Sequence, residues 1–122
     1  MRKLIASLLL VVPTVVCADY VDVLSAELKD GCTVATLAQI VKDFNATWAK
    51  DGTYRAELLV PMMSQDLGTV YWVGRTKSAE VFGAGLERWM KESTDASSDA
   101  GQIRVRMERC VTWGSRGGFT TF

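Results

Sequence analysis

Hydrophobic and polar positions change their period several times along this chain, and each change predicts an element. Tyr20, Val21, Val23 and Leu24 are strand formers ahead of the turn signal Lys29-Asp30-Gly31, so residues 20–27 are expected to be extended. From residue 34 the spacing becomes three and four. Val34, Leu37, Ile40, Val41, Phe44 and Trp48 then share one side of a helix, with Thr33 in front as N-cap and Gly52 behind as C-cap. Tyr54, Ala56, Leu58 and Val60 alternate with Arg55, Glu57 and Leu59 until Pro61, which has no N–H for a ladder. A connection containing Ser64, Gln65, Asp66 and Gly68 leads to a partner strand over 69–75, built on Val70, Tyr71, Trp72 and Val73.

A second helix is predicted behind the Ser78 cap, with Val81, Phe82, Leu86, Trp89 and Met90 on one side and Glu80, Glu87, Arg88 and Lys91 on the other. Gly83 and Gly85 each cost about 1 kcal/mol against alanine there, so this helix must rely on docking. Residues 93–101 are small and polar and read as a surface loop. Period two returns over Gln102 to Trp113, where Ile103, Val105 and Met107 alternate with Arg104, Arg106 and Glu108, predicting the last full strand. The glycine-rich end, residues 114–122, is expected to be a flexible tail or a short edge strand.

Strand, helix, strand, strand, helix, strand is the order of the split βαβ, or ferredoxin-like, arrangement. The expected fold class is therefore α+β: a four-stranded antiparallel sheet over residues 19–113 with two helices on one face. The other face would carry apolar and aromatic groups among charges, for which a second subunit is the natural cover.

Composition adds a compartment. Met1, Arg2 and Lys3, the apolar run from Leu4 to Val16 and the small-residue context at Cys17 and Ala18 read as a signal peptide over 1–18, cleaved before Asp19. Spanning a membrane takes about 20 apolar residues, and Pro13 interrupts a shorter run, so no stable membrane anchor is expected. Bulky Val15 and Val16 do not resemble the residues that precede a lipid-anchored cysteine, which argues against lipid at Cys17.

Removing Arg2 and Lys3 leaves twelve basic against fourteen acidic residues, a formal charge of −2, which points away from nucleic acid and acidic membrane surfaces. Cys32 and Cys110 remain, and an exported chain is expected to join them, within one chain or between subunits. The predicted strand order strains an intrachain bond: Cys110, late in a strand antiparallel to 20–27, would lie near Tyr20, at the end away from Cys32.

The segment Tyr71-Trp72-Val73-Gly74-Arg75, running on into Ser78-Ala79-Glu80-Val81-Phe82-Gly83-Ala84-Gly85-Leu86-Glu87-Arg88-Trp89, together with the element order, resembles the dimeric α+β barrel superfamily. That superfamily includes antibiotic biosynthesis monooxygenase-like and NIPSNAP-like proteins. The resemblance implies a homodimer with facing sheets and a small cavity between each sheet and its helices. It also implies that enzyme members are cofactor-independent monooxygenases with an Asn and a Trp near the substrate, while haem-handling relatives bring a His or Asn ligand. The chain has no histidine, which excludes a His-ligated haem and imidazole proton shuttling.

On this basis Asn45 and Trp48, three apart on the first helix, are candidates to mimic the Asn/Trp pair, set against a plainer reading in which Trp48 ends the apolar stripe and Asn45 is solvated. Trp72 is expected to face the cavity, with Tyr71 on the opposite face, and Trp89 joins the candidate lining. Arg75, Arg104 and Arg106, with Arg55, Glu57 and Glu108, form either an anion site or ordinary cross-strand charge pairs. No glycine-rich phosphate loop and no Cys/His metal spacing occur, so neither a metal nor a cofactor is expected. The expected function is that of an exported, periplasmic or secreted homodimer binding a small molecule or a protein partner. The alternative is a cofactor-independent monooxygenase or isomerase acting on an aromatic substrate.

Overall fold

Residues 19–122 are described by the computed structural model; the expected signal peptide and Cys17 lie outside the described residues. Strand β1 (Tyr20–Leu28) is central. It pairs antiparallel with β3 (Thr69–Thr76) on one side and with β4 (Val111–Thr120) on the other, and β2 (Arg55–Leu59) adds beyond β3. The sheet order β2-β3-β1-β4 is that of the expected ferredoxin-like fold. Among the described residues no helix is long and apolar enough to cross a membrane.

Helix α1 (Val34–Ala46) starts where predicted, with the Thr33 hydroxyl accepting from the Thr36 N–H at 3.1 Å. It ends earlier than its apolar stripe suggested. Thr47 caps it, and turns carry the chain to Gly52, whose φ of +76° only glycine adopts freely. Leu37, Ile40, Val41 and Phe44 bury one face of α1 against Ala26, Ala56, Val70 and Trp72 of the sheet. Helix α2 (Ala79–Glu92) follows the predicted Ser78 cap.

The last third of the chain corrects the expected layout. Residues 102–110 are not a strand: Asp99–Cys110 form a third helix, α3, capped by Ser98. Its buried positions Ala100, Ile103, Met107 and Cys110 keep spacings of three and four, a helical stripe that the β-branched Ile103 and Val105 masked. Among the described residues three helices therefore cover the sheet, not two.

The last strand is β4, which begins at Val111 directly after α3 and runs to Thr120, across the expected boundary at residue 113. Most of the supposed tail is thus a full edge strand. Its glycines mark close approach rather than flexibility, since a Cβ at Gly118 would fall on the Tyr20 hydroxyl and one at Gly114 would meet Ser25 Oγ at 2.5 Å.

This correction also removes the strain on the disulfide. Leu28 pairs with Val111, so the end of α3 lies beside the end of β1. Cys32 and Cys110 meet there with Cα atoms 5.1 Å apart, and they are bonded within one chain.

Candidate functional site

Alternation sends Leu24 and Ala26 of β1, Trp72 of β3 and Trp113 of β4 to the helix side of the sheet, because directly opposed residues in an antiparallel pair share a face. Helices α1, α2 and α3 do not close completely over them. A cavity of about 470 Å³ remains, walled by Phe44, Trp48, Tyr54, Trp72, Phe82, Leu86, Trp89, Met107 and Trp113 among others. All four tryptophans of the chain reach it. Their rings hold one another edge-on: Trp48 and Trp89 lie 5.2 Å apart at 84°, Trp72 and Trp113 6.3 Å apart at 82°, and Phe44 meets Trp72 at 5.0 Å and 85°. Such T-shaped contacts stiffen an aromatic wall.

Polar groups enter this wall as a chain. Asp22 stands in register with Leu24 and Ala26, so the pleat places a carboxylate on the core side, 1% exposed. Arg116 of β4 neutralises it with Nε to Oδ1 at 2.8 Å and Nη2 to Oδ2 at 2.8 Å, a bidentate pair. The Tyr54 hydroxyl donates to Asp22 Oδ2 at 3.3 Å and accepts from Trp72 Nε1 at 3.0 Å. Burial, reinforced by the Asp22 carboxylate, pushes the Tyr54 phenol well above its ordinary pKa, so Tyr54 stays protonated. The hydrogen bond to Asp22 raises the Arg116 pKa further. Gly74 makes room for this chain, since a Cβ there would fall on the Tyr54 hydroxyl.

The candidate residues distribute unevenly over this geometry. Trp48, Trp72, Trp89 and Arg104 line the cavity. Trp48 is fixed by its Nε1 donating to Glu92 Oε2 at 2.8 Å and by the Arg88 guanidinium 4.2 Å over its ring. Asn45 is not at the cavity. Its amide clasps β2, donating to the Ala56 carbonyl at 2.8 Å and accepting from the Ala56 N–H at 2.9 Å, so Asn45 and Trp48 do not act as a pair. Arg75 lies on the other sheet face, 3.3 Å from Glu57.

Arg104 and Arg106 do not share a face, because α3 is a helix and not a strand. Arg104 pairs with Glu108 at 2.7 Å on the cavity side, whereas Arg106 reaches Asp43 of α1 at 2.7 Å. The Arg106 hydrogen bond, helped by Gln39, holds the Asp43 carboxyl below its usual range, and the pair ties α1 to α3. Of the two readings of these arginines, the structure shows charge pairs, and the alternative of an anion site of clustered arginines is not assembled.

Sequence reasoning missed Asp22, Tyr54, Trp113 and Arg116 as site residues. One signal was present: a carboxylate two residues before Leu24 and four before Ala26 on the core-facing period of a strand needs a partner. Among the described residues no group of three or more His, Cys, Asp or Glu side chains is arranged to hold a metal ion.

No family model matches the chain, and no curated protein matches it. Solved structures do. The chain is similar to SnoaB, a cofactor-independent oxygenase from Streptomyces nogalater, with 13% identity and a TM-score of 0.57 over 86% of this chain and 94% of that one. It is also similar to a conserved protein of unknown function from Bacteroides thetaiotaomicron, described as a possible oxidoreductase, with 9% identity and a TM-score of 0.55 over 86% and 99% of the two chains. At these identities the likeness is one of fold, and it agrees with the ferredoxin-like α+β resemblance read from the element order.

Proposed function

We propose that this protein binds a flat, largely apolar aromatic molecule between its sheet and helices, and that it does so as an exported homodimer. The observation that carries the reading is the convergence of all four tryptophans, with Phe44 and Phe82, on one cavity of about 470 Å³. That volume lies within the range of about 300–1,000 Å³ typical of small-molecule sites. An aromatic lining with two ion-paired arginines, Arg116 and Arg104, suits a ring system with a few polar substituents.

Dimer formation is supported by the opposite sheet face. Leu59 and Phe119 lie there, 50% and 57% exposed, Leu59 opposite Tyr71 and Phe119 opposite Val21 on the neighbouring strands. Export is supported by the apolar N-terminal stretch of the sequence and by the Cys32–Cys110 bond, which persists in oxidising compartments.

A second reading, turnover of an aromatic substrate with dioxygen, is favoured by the fold likeness to SnoaB. The cavity chemistry favours it less. Tyr54 is held protonated, and the two carboxylates at this wall are ion-paired, Asp22 with Arg116 and Glu108 with Arg104.

Calorimetric titration with 1-naphthol, 9-phenanthrol and the acyclic decan-1-ol separates these readings. Saturable binding of the ring compounds at one site per chain, weakened at least about tenfold in Trp72→Ala and without oxygen uptake, supports the binding module. Oxygen consumption on addition of a ring compound, lost in the same variant, supports the enzyme. Equal binding of decan-1-ol, or no binding of any probe, overturns the aromatic reading.

A further inference from the structure

Three helices wall the cavity, but they are not held equally. Leu37, Ile40, Val41 and Phe44 of α1 are buried, as are Ala100, Ile103, Met107 and Cys110 of α3; α2 buries no residue over its whole length. Yet α2 presents Phe82, Gly85, Leu86, Trp89 and Met90 to the cavity. Its apolar face therefore lines the cavity, with Phe82 and Trp89 half-buried against aromatic neighbours and Met90 63% exposed. The cavity is not fully closed by the helices, and with no buried residue α2 is the wall of it that is held least.

The glycines point the same way. A Cβ at Gly83 or at Gly85 would meet nothing within 4 Å, so neither glycine is there to let a neighbour approach. What they do is lower the helix's own stability, since each is among the poorest helix formers. The attachments of α2 sit near its two ends. Phe82 stacks on Tyr20 at 4.7 Å near the start, and toward the end Trp89 meets Trp48 at 5.2 Å while Arg88 donates to the Trp48 carbonyl and reaches Asp51 at 3.4 Å. The stretch between, around Gly85 and Leu86, bridges the cavity.

We infer that α2 is the moving wall of the cavity: it undocks to admit a guest and settles onto it, with Phe82, Leu86 and Trp89 as the closing surface. The inference rests on the cavity being a binding site, and it adds which element gives way. Closure adds contacts with the guest to the few that hold α2, so binding and α2 order are linked.

Hydrogen exchange read by mass spectrometry on the oxidised full domain tests this. In the free protein, α2 amides should exchange at least about tenfold faster than those of α1 and α3, because local opening follows buried contact. Saturation with 1-naphthol should slow α2 by at least about tenfold and leave the β1 amides unchanged. Gly83→Ala with Gly85→Ala, which meets no steric obstacle, should slow α2 by at least about tenfold without any ligand.

Equal protection of α1 and α2 in the free protein overturns the moving wall. If calorimetry shows 1-naphthol bound and α2 exchange does not change, closure is overturned while the binding reading stands. If neither 1-naphthol nor 9-phenanthrol binds, closure falls together with that reading, whatever the free-protein rates.

Discussion

Asp22 and Arg116, 94 residues apart, meet across the β1–β4 ladder through two hydrogen bonds of 2.8 Å, with the carboxylate 1% exposed and the Arg116 side chain 43% exposed. The asymmetry makes the pair diagnostic. Arg116→Ala strands a buried carboxylate with little beyond the Tyr54 hydroxyl for support and should cost about 3–5 kcal/mol. Asp22→Ala leaves a guanidinium that can turn to water and should cost about 1–3 kcal/mol. Urea unfolding of both variants checks the order; Asp22→Ala proving the more damaging would refute this account of the site.

Gly74 and Tyr54 are coupled by space. Gly74→Ala drives a Cβ into the Tyr54 ring at its hydroxyl end, and overpacking of this kind costs about 1–3 kcal/mol. With Tyr54→Ala in the background the same substitution should cost much less. A double-mutant cycle measures the difference, and additive effects would show that the two residues do not contend for one space.

Tyr54 also sets an alkaline limit. Its phenol is pushed above the ordinary value of 10.0, first by burial and then by the Asp22 charge. Below that value the phenol is protonated in both folded and unfolded chains, and its contribution to stability is intact. As pH rises further, the unfolded chain releases a proton that the folded chain retains, so stability falls. Denaturant midpoints taken between about pH 9 and 11 should decline more steeply for the wild type than for Tyr54→Phe. Parallel curves would mean that Tyr54 titrates freely in the folded protein.

The Cys32–Cys110 bond closes a long loop, 78 residues in sequence separation, and pins the end of α3 beside the start of α1. On the chain-entropy model its loss is worth about 4–5 kcal/mol. The Cys32→Ser, Cys110→Ser protein should therefore unfold at markedly lower urea while keeping its far-ultraviolet circular dichroism in water. An unchanged midpoint would show that the bond adds nothing to what the Leu28–Val111 pairing already holds.

Elements carried by local signals were legible in the sequence. The Thr33 and Ser78 caps, the three-and-four spacing from Leu37 to Phe44 and the alternation through Ala56 and Leu58 each act over a few residues, so they located α1, α2, β2 and β3 and led to the ferredoxin-like order. Trp48, Trp72 and Trp89 were legible as cavity candidates because large aromatics on core-facing periods have few other places to go.

Only the tertiary structure decided the rest. Ile103 and Val105 favour a strand taken alone, and what makes residues 99–110 a helix is burial of Ala100, Ile103, Met107 and Cys110 on one stripe against the rest of the core. The glycines of β4 look like a flexible tail until Tyr20 and Ser25 are seen crossing over them. The polar chain from Arg116 through Asp22 and Tyr54 to Trp72 joins four residues on four different strands or their approaches. No local pattern carries such a constellation, because the energy that holds it comes from long-range register: Asp22 opposite Gly74 on one side and Gly118 on the other. Sequence determined the segments and their faces; only the packing of those faces determined which polar groups met inside.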